Sequence, residues 1–319
     1  MKVLRLKVIA KSLSSCFVAI ELDCCNWLRN WQPMQDPYSG YQPERVEYSP
    51  SQPVMVQLPN APVRATWVFM AINVVMFVIC ILQGMSVMGN TEGDAFVLIE
   101  LGAKWSPLMD IGGEWWRLFT ATVLHGGIVH IGFNMYALYA LGPTVERFYG
   151  SLRFSVIYLI AGIGGAWASY SFGSLTGPSI GASGAIFGLI GCLIGFFLSA
   201  RSVLGDFARQ NLRQMVGTAA INLIIGLSFS SVIDNYAHIG GMLMGLAVGY
   251  GLAPRLVYIA DWFKPRIEAK APSALLWLSV VGAIGFILVA TWFVHNQRMN
   301  DATSVALLEE LYQAWLNAR

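Results

Sequence analysis

The chain has 319 residues, of which 56% are hydrophobic and only 12% are charged, and its formal net charge is +2. Soluble domains carry about 25% charged residues, so this composition excludes a soluble enzyme and indicates an integral membrane protein. The small net charge favours no polyanionic partner, and we expect no binding to nucleic acid.

Cysteine usage predicts neither a disulfide framework nor a metal site. The five cysteines are an odd number and lack the spacing of zinc ligands. Cys80 and Cys192 fall inside apolar stretches, where a free cysteine behaves as a small hydrophobic residue. We therefore predict no structural metal and no cofactor.

Residues 1–65 are polar, and the sequence predicts an irregular cytoplasmic tail or linker. Basic residues precede a short apolar patch at 16–20, as in a signal peptide, but the patch runs into Glu21 and Asp23 without a small-residue cleavage site. Repeated prolines between 33 and 62 favour a linker. A start of translation at Met34 stays open.

Seven apolar stretches follow, and each approaches the ~20 residues that a helix needs to cross a bilayer. Backbone polar groups in lipid must be satisfied internally, so helices are predicted rather than strands. The predicted spans, none of which contains Asp or Glu, lie at about 66–84, 118–142, 153–172, 181–200, 215–233, 236–254 and 274–294. The fold class is therefore an all-α, polytopic membrane helix bundle. It has a six-helix core at 66–254 and, within 255–319, a cytoplasmic loop, a seventh transmembrane helix and a short external tail.

The distribution of cations predicts the orientation of the spans. Most Lys and Arg residues fall in the N-terminal tail and in the loops that seven crossings place on the same side. Cytoplasmic segments carry such an excess, so we expect a bacterial inner-membrane protein with a cytoplasmic N-terminus and an external C-terminus. The external loop 85–117 carries Trp105, Trp115 and Trp116, which favour a partly embedded interfacial element over a plain surface loop.

Two polar residues, His130 and Asn134, lie four apart on one face of the second span. Polar side chains inside a membrane are costly and face the bundle interior or a cavity. The pair could form an interhelical hydrogen bond, or it could donate to a developing oxyanion. His125 lies off that face and is interpreted as a packing or interfacial residue.

Ser183 stands among small residues at the start of the fourth span. Gly, Ala and Ser are the usual residues where membrane helices touch, so close packing is one interpretation. The other is an exposed nucleophile on a crowded turn, as in the Gly-x-Ser-x-Gly elbow. The choice depends on whether a base and oxyanion donors lie nearby.

Glycine stripes predict which residue that base would be. Gly184-x-x-x-Gly188 begins a stripe in the fourth span, and Gly241-x-x-x-Gly245 begins one in the sixth. Small residues at this spacing let two helix backbones approach closely, which would bring His238 to the same end and depth as Ser183. Asp234 could complete a triad, cap the helix or be a solvated loop carboxylate.

The C-terminal region adds a span without a polar constellation at 274–294. His295, at its outer edge, is interpreted as an interfacial residue. Residues 302–319 place apolar side chains at helical spacing and predict a short amphipathic helix on the outer surface.

Together these motifs resemble the rhomboid family of intramembrane serine proteases. The matching pieces, in chain order, are Trp116-Arg117, His130-x-x-x-Asn134, Gly181-Ala182-Ser183-Gly184 and His238-x-x-Gly241-x-x-x-Gly245. The resemblance covers about residues 66–254, so the seventh helix and the external tail are additions to it.

The resemblance implies a catalytic dyad with no acidic third member. In it Ser183 is the nucleophile and His238 is the general base. His130, Asn134 and the Ser183 backbone N–H form the implied oxyanion hole.

Four further residues have supporting positions by the same resemblance. Phe187 stands where the family packs an aromatic ring on the catalytic histidine, and as Phe rather than Tyr it lacks a phenolic hydrogen bond. Gly181, Gly241 and Gly245 are the small residues of the matching motifs.

The implied function is hydrolysis of peptide bonds in or near transmembrane segments of single-span or polytopic membrane proteins. The partners would be these substrates and the lipid bilayer, and the oligomeric state stays open. Two rivals are a catalytically inactive relative that binds membrane helices and a small transporter with histidines on a proton path. The spans contain no Asp and the chain has no His-Glu-x-x-His, so aspartyl and zinc protease chemistry is not favoured.

Overall fold

The structure is a computed structural model that describes residues 6–10, 17–22, 54–89, 91–229, 232–259, 266–270 and 277–319. These residues are largely helical, which confirms the predicted fold class. The helices are α1 (Ala65–Leu82), α2 (Glu92–Glu100), α3 (Ser106–Asp110), α4 (Arg117–Thr120), α5 (Ile128–Tyr149), α6 (Ser151–Phe172), α7 (Ser183–Ser228), α8 (Asn235–Leu252), α9 (Leu278–Asn300) and α10 (Ala302–Ala318). The strands are β1 (Leu6–Ala10), β2 (Phe17–Leu22), β3 (Val54–Gln57), β4 (Arg255–Ile259) and β5 (Arg266–Lys270).

Four helices of the described segments, α1, α6, α7 and α9, are long and apolar enough to cross a membrane. A fifth crossing results if the bent pair of α4 with its 3₁₀ extension and α5 counts as one span. Many large apolar side chains on these helices are exposed, as expected for surfaces that face lipid.

The predicted fourth and fifth spans are not separated by a loop. Both lie within α7, whose 46 residues are interrupted only at Gly205, where φ is 52° and ψ is −122°. Leu204 and Ala208, on either side of the break, are fully buried. The two predicted spans form two helical arms that meet at this break, and Phe187 and Ile190 of the first arm share a hydrophobic cluster with Ala219 of the second. The loop predicted at 200–214 is reduced to Gly205, whose positive φ suits glycine, with helix on both sides.

The predicted second span, 118–142, also differs from the helices in the structure. Its first part forms α4 and a 3₁₀ turn, and the chain then bends by 89° before α5 begins at Ile128. α5 runs to Tyr149 and so contains Glu146, an acidic residue inside a helix that the sequence had ended earlier. The Glu146 carboxylate is fully buried, and it accepts hydrogen bonds from the backbone N–H groups of Arg64, Ala65 and Thr66. The cost of burying this charge is thus offset by the N-terminus of α1.

Helices α6, α7 and α8 form the centre of the bundle through glycine contacts. A Cβ atom on Gly241 would lie 2.0 Å from the Gly184 carbonyl oxygen, and one on Gly245 would lie 2.0 Å from the Gly188 oxygen. The predicted packing of the two stripes is confirmed, because the backbones of α7 and α8 approach more closely than any side chain would permit.

The expectation of an irregular N-terminal region is wrong for three segments. β1, β2 and β3 join β4 and β5, which follow α8, in one sheet with the order β1-β2-β3-β5-β4. Neighbouring strands are antiparallel except β3 and β5, which pair in parallel at Val56 and Ile267. The sheet lies at the end of α8 that is opposite His238.

The region 85–117 is folded and tied to the C-terminus. α10 inserts Trp315 between Phe96 and Trp105, with ring centroids 4.6 and 5.6 Å away. The interpretation of His295 as a simple interfacial residue is wrong, because its Nδ1 lies 2.9 Å from a carboxylate oxygen of buried Asp110.

Arg298 of α9 also contacts this region. Its guanidinium lies 3.1 Å from the other oxygen of Asp110, donates to the Tyr170 carbonyl oxygen and covers the Tyr170 ring. α9 extends beyond the predicted span 274–294 to Asn300, and the polar groups of this extension connect α9 with α3 and α6.

Candidate active site

Ser183 is the first residue of α7, and Gly181, two residues before it, has a positive φ. Gly181 has φ +121°, and its N–H donates to the Ala121 carbonyl oxygen at 2.9 Å. A Cβ atom at Gly181 would lie 2.8 Å from His130 Nε2 and 3.7 Å from Ser183 Oγ. Only glycine suits this position, and the imidazole and the hydroxyl both lie close to the space that a Cβ atom would fill.

His238 lies in the first turn of α8 and is buried, with 8% of its surface exposed. The Phe187 ring stacks on it at a centroid distance of 4.1 Å and an interplanar angle of 10°. Phe187 is one helical turn after Ser183, so both side chains occupy the same end of the α7–α8 contact. Within the described segments no hydrogen bond joins Ser183 Oγ to His238, and catalytic hydrogen bonds are often long before substrate binds.

The side chains of the two predicted oxyanion donors, His130 and Asn134, differ in orientation. His130 Nδ1 accepts a hydrogen bond from the Gly126 N–H at 3.4 Å. A neutral ring that accepts at Nδ1 carries its proton on Nε2, and this is the nitrogen beside Gly181. Asn134 instead donates its amide to the His130 carbonyl oxygen at 3.0 Å, within its own helix. His130 is thus directed at the site, whereas Asn134 would have to turn its side chain.

His125, which the sequence indicated as a packing or interfacial residue, is fully buried. Its ring meets the His130 ring edge-on at a centroid distance of 5.1 Å.

Asp234 is a helix cap and not a solvated carboxylate. It precedes α8 and accepts the Ala237 N–H at 3.0 Å. It also accepts hydrogen bonds from the hydroxyls of Ser169 and Ser179. Burial alone would raise its pKa, but these hydrogen bonds and nearby Lys104 outweigh burial and hold the pKa below the ordinary value of 3.8.

A small cavity of about 10 Å³ borders Gly181 and Gly184, the neighbours of the candidate nucleophile, and this is room for about one water molecule. It is lined by Ala121, Thr122, Gly162, Ala166, Ser179, Ile180, Gly181, Gly184 and Ala237. Small residues from α6, α7 and α8 thus leave a void next to the candidate nucleophile.

Sequence reasoning missed the roles of Lys104, Ser169 and Ser179 around Asp234. Lys104 exposes only 1% of its surface, and its N–H and C=O pair with the C=O and N–H of Ser179 at 3.0 and 2.9 Å. The available signal was a lysine within an aromatic, apolar loop, which is a poor site for a cation without a partner.

The family model and the relatives that match this chain all carry the name rhomboid. The family model for the Rhomboid domain matches residues 112–255, a range that contains all of the candidate site residues. Rhomboid protease GluP of Bacillus subtilis (strain 168) is 40% identical over 250 residues, which are 78% of this chain and 44% of that protein.

Two other relatives match over shorter parts of this chain. RHOMBOID-like protein 1 of Arabidopsis thaliana is 37% identical over 164 residues, which are 50% of this chain and 41% of the relative. Rhomboid protease AarA of Providencia stuartii is 27% identical over 212 residues, which are 59% of this chain and 75% of that protein. The chain spans less than half the length of GluP and of RHOMBOID-like protein 1.

Proposed function

Because the chain belongs to the rhomboid family, we propose that it is an intramembrane serine endopeptidase. The observations that support the proposal are the closeness of His130 to Ser183 and the stacking of His238 on Phe187. His130 Nε2 and Ser183 Oγ both lie beside the point where a Cβ of Gly181 would stand, and His238 stacks on the Phe187 ring one turn along α7 from the serine. These residues supply a hydroxyl, an N–H donor and an imidazole.

The proposed reaction is a two-step acyl transfer. Ser183 Oγ attacks the carbonyl carbon of the substrate peptide bond as His238 takes the hydroxyl proton. The carbonyl oxygen becomes an oxyanion, which His130 Nε2–H, the Ser183 N–H and the turned amide of Asn134 stabilise. Each fixed donor of this kind contributes roughly 10²–10³-fold in rate.

The tetrahedral intermediate then collapses. The C–N bond breaks, and His238 returns its proton to the leaving amine. Water then hydrolyses the acyl-enzyme by the same steps, with His238 again as the base.

The proposed substrates are membrane proteins whose transmembrane segments unwind near their outer ends. A helix within lipid keeps its backbone groups paired, so the peptide bond becomes accessible only where the helix opens. We propose a bacterial inner-membrane location with the N-terminus cytoplasmic and the C-terminus external. The site would then lie near the external face, because the sheet and His238 are at opposite ends of α8.

The test is covalent labelling of purified protein with a fluorophosphonate probe, together with cleavage of single-span model substrates in liposomes. Ser183→Ala and His238→Ala are expected to lose both labelling and cleavage. Ser199→Ala is the matched control, since Ser199 lies further along α7 and donates to its own helix at Phe196. A folded wild-type protein that captures substrates without cleaving them or reacting with the probe would instead be an inactive helix-binding relative.

A further inference from the structure

Asp234 connects three separate parts of the active-site region. Its Oδ1 accepts the Ala237 N–H of α8 at 3.0 Å. Its Oδ2 accepts the Ser179 hydroxyl at 2.7 Å and also the Ser169 hydroxyl of α6. Hydrogen bonds to a charged acceptor are about twice as strong as neutral ones, so one carboxylate fixes the relative positions of these segments.

The Ser179 connection leads directly to the proposed nucleophile. Ser179 is four residues before Ser183, and its backbone is held on the other side by the paired hydrogen bonds to Lys104. Between them, the Gly181 N–H is fixed on the Ala121 carbonyl oxygen. The segment 179–183 therefore has few ways to move while Asp234 holds the Ser179 side chain.

The Ala237 connection leads to the proposed base. His238 follows Ala237, and its own N–H donates to the Asp234 carbonyl oxygen at 3.2 Å. The Asp234 side chain makes no hydrogen bond to His238 Nδ1, which has no hydrogen-bond partner among the described residues. This arrangement differs from a Ser–His–Asp triad, in which the carboxylate binds the ring directly.

The charge of Asp234 is balanced by Lys104, which is almost fully buried. Burial lowers the pKa of Lys104 to about 8, with the Asp234 carboxylate opposing that decrease. Near neutral pH the two groups therefore stabilise each other in their charged forms.

We propose that Asp234 is a positioning residue for proteolysis, which sets the place of Ser183 through Ser179 and the place of His238 through the first turn of α8. The inference rests on the proposed function, since it concerns the geometry of that reaction. It assigns a role to an acidic residue in a site whose chemistry needs only a dyad.

Two serine variants test the proposal as a matched pair. Ser179→Ala and Ser169→Ala each remove one hydroxyl from the same carboxylate oxygen, but only Ser179 lies on the segment that leads to the nucleophile. We expect Ser179→Ala to lower kcat for a model substrate in liposomes roughly tenfold to a hundredfold, because a misplacement of about 1 Å has that effect. KM should stay within about twofold, and fluorophosphonate labelling of Ser183 should slow in parallel.

Ser169→Ala is expected to reduce thermal stability as much as Ser179→Ala does, while kcat falls less than about threefold. Ser179→Thr keeps the hydroxyl and should restore kcat. If Ser179→Ala fails to fold, Asp234→Asn replaces it, since Asn retains the helix cap but places an amide NH₂ against the serine hydroxyls.

Three results would overturn the inference. Equal losses of kcat in the two alanine variants, in proportion to stability, would mean that Asp234 only stabilises the fold. An active Ser179→Ala protein with unchanged kcat would mean that the segment needs no such anchor. A wild-type protein without cleavage or labelling would refute the proposed function itself, and the inference with it.

Discussion

Substitution of Gly241 by Ala is expected to increase the distance between His238 on α8 and Ser183 on α7. A methyl group there would lie 2.0 Å from the Gly184 carbonyl oxygen, whereas an ordinary van der Waals contact begins at 3.4 Å. α8 must therefore move away from α7 by about 1.4 Å at this level. Overpacking of this kind costs roughly 1–3 kcal/mol of stability. His238 is one turn from the substitution, so the distance between the imidazole and Ser183 should grow by a comparable amount.

A displacement of about 1 Å reduces catalysis roughly a hundredfold, and we expect a fall of that order in the cleavage rate of Gly241→Ala. The assay is turnover of a single-span substrate in liposomes, with thermal unfolding measured on the same preparation. Gly217→Ala is the control, because a Cβ atom at that position of α7 would meet nothing within 4 Å. A folded Gly241→Ala protein that keeps the wild-type rate would refute the argument that the glycine contact sets the dyad geometry.

Three further predictions concern the parts that hold the site in place. Glu146→Gln should lower the free energy of unfolding in detergent by about 3 kcal/mol, because a neutral amide offers one acceptor oxygen where the carboxylate satisfies several donors; an unchanged unfolding curve would contradict this. Burial would raise the pKa of Asp94, but hydrogen bonds from Ser86 and Thr91 outweigh it and lower the pKa to about 2, below the ordinary 3.8. The stability from this carboxylate is therefore complete above about pH 4 and lost as the pH falls towards 2; hydrogen exchange at the Ser86 amide should accelerate in that range in the wild type but not in Asp94→Asn. Trp315→Ala should weaken the docking of α10 by roughly 3 kcal/mol, seen as faster proteolysis of the C-terminal helix, and equal resistance in both proteins would exclude the contact as the anchor.

Much of the fold follows from the sequence because lipid imposes strong rules on a chain. Long apolar runs become helices, and the spacing of Gly241 and Gly245 alone predicts the α7–α8 contact. The same rules could not find the kink at Gly205. One glycine in a helix-forming region does not distinguish a kink from a loop when the burial of its neighbours is unknown.

The site was predictable in part for a related reason. Ser183, His130 and His238 are polar groups in apolar surroundings, so their types and spacing carry information. The network around Asp234 could not be predicted, because it depends on tertiary contacts between segments that are far apart in the chain. Ser179 and Lys104 are 75 positions apart in numbering, and no local pattern links them. The β-strands of the N-terminal region were missed because their partners, apart from one another, lie after α8.

The attachment of α9 and α10 to the region 85–117 has a consequence for biogenesis. Asp110 lies 185 residues before its partner His295 and 188 residues before Arg298, and Trp105 lies 210 residues before Trp315, so these partners are synthesised much later. This early segment cannot complete its packing while the ribosome is still producing the rest of the polypeptide. The nascent protein therefore has to wait for α9 and α10 before the packing of region 85–117 is complete.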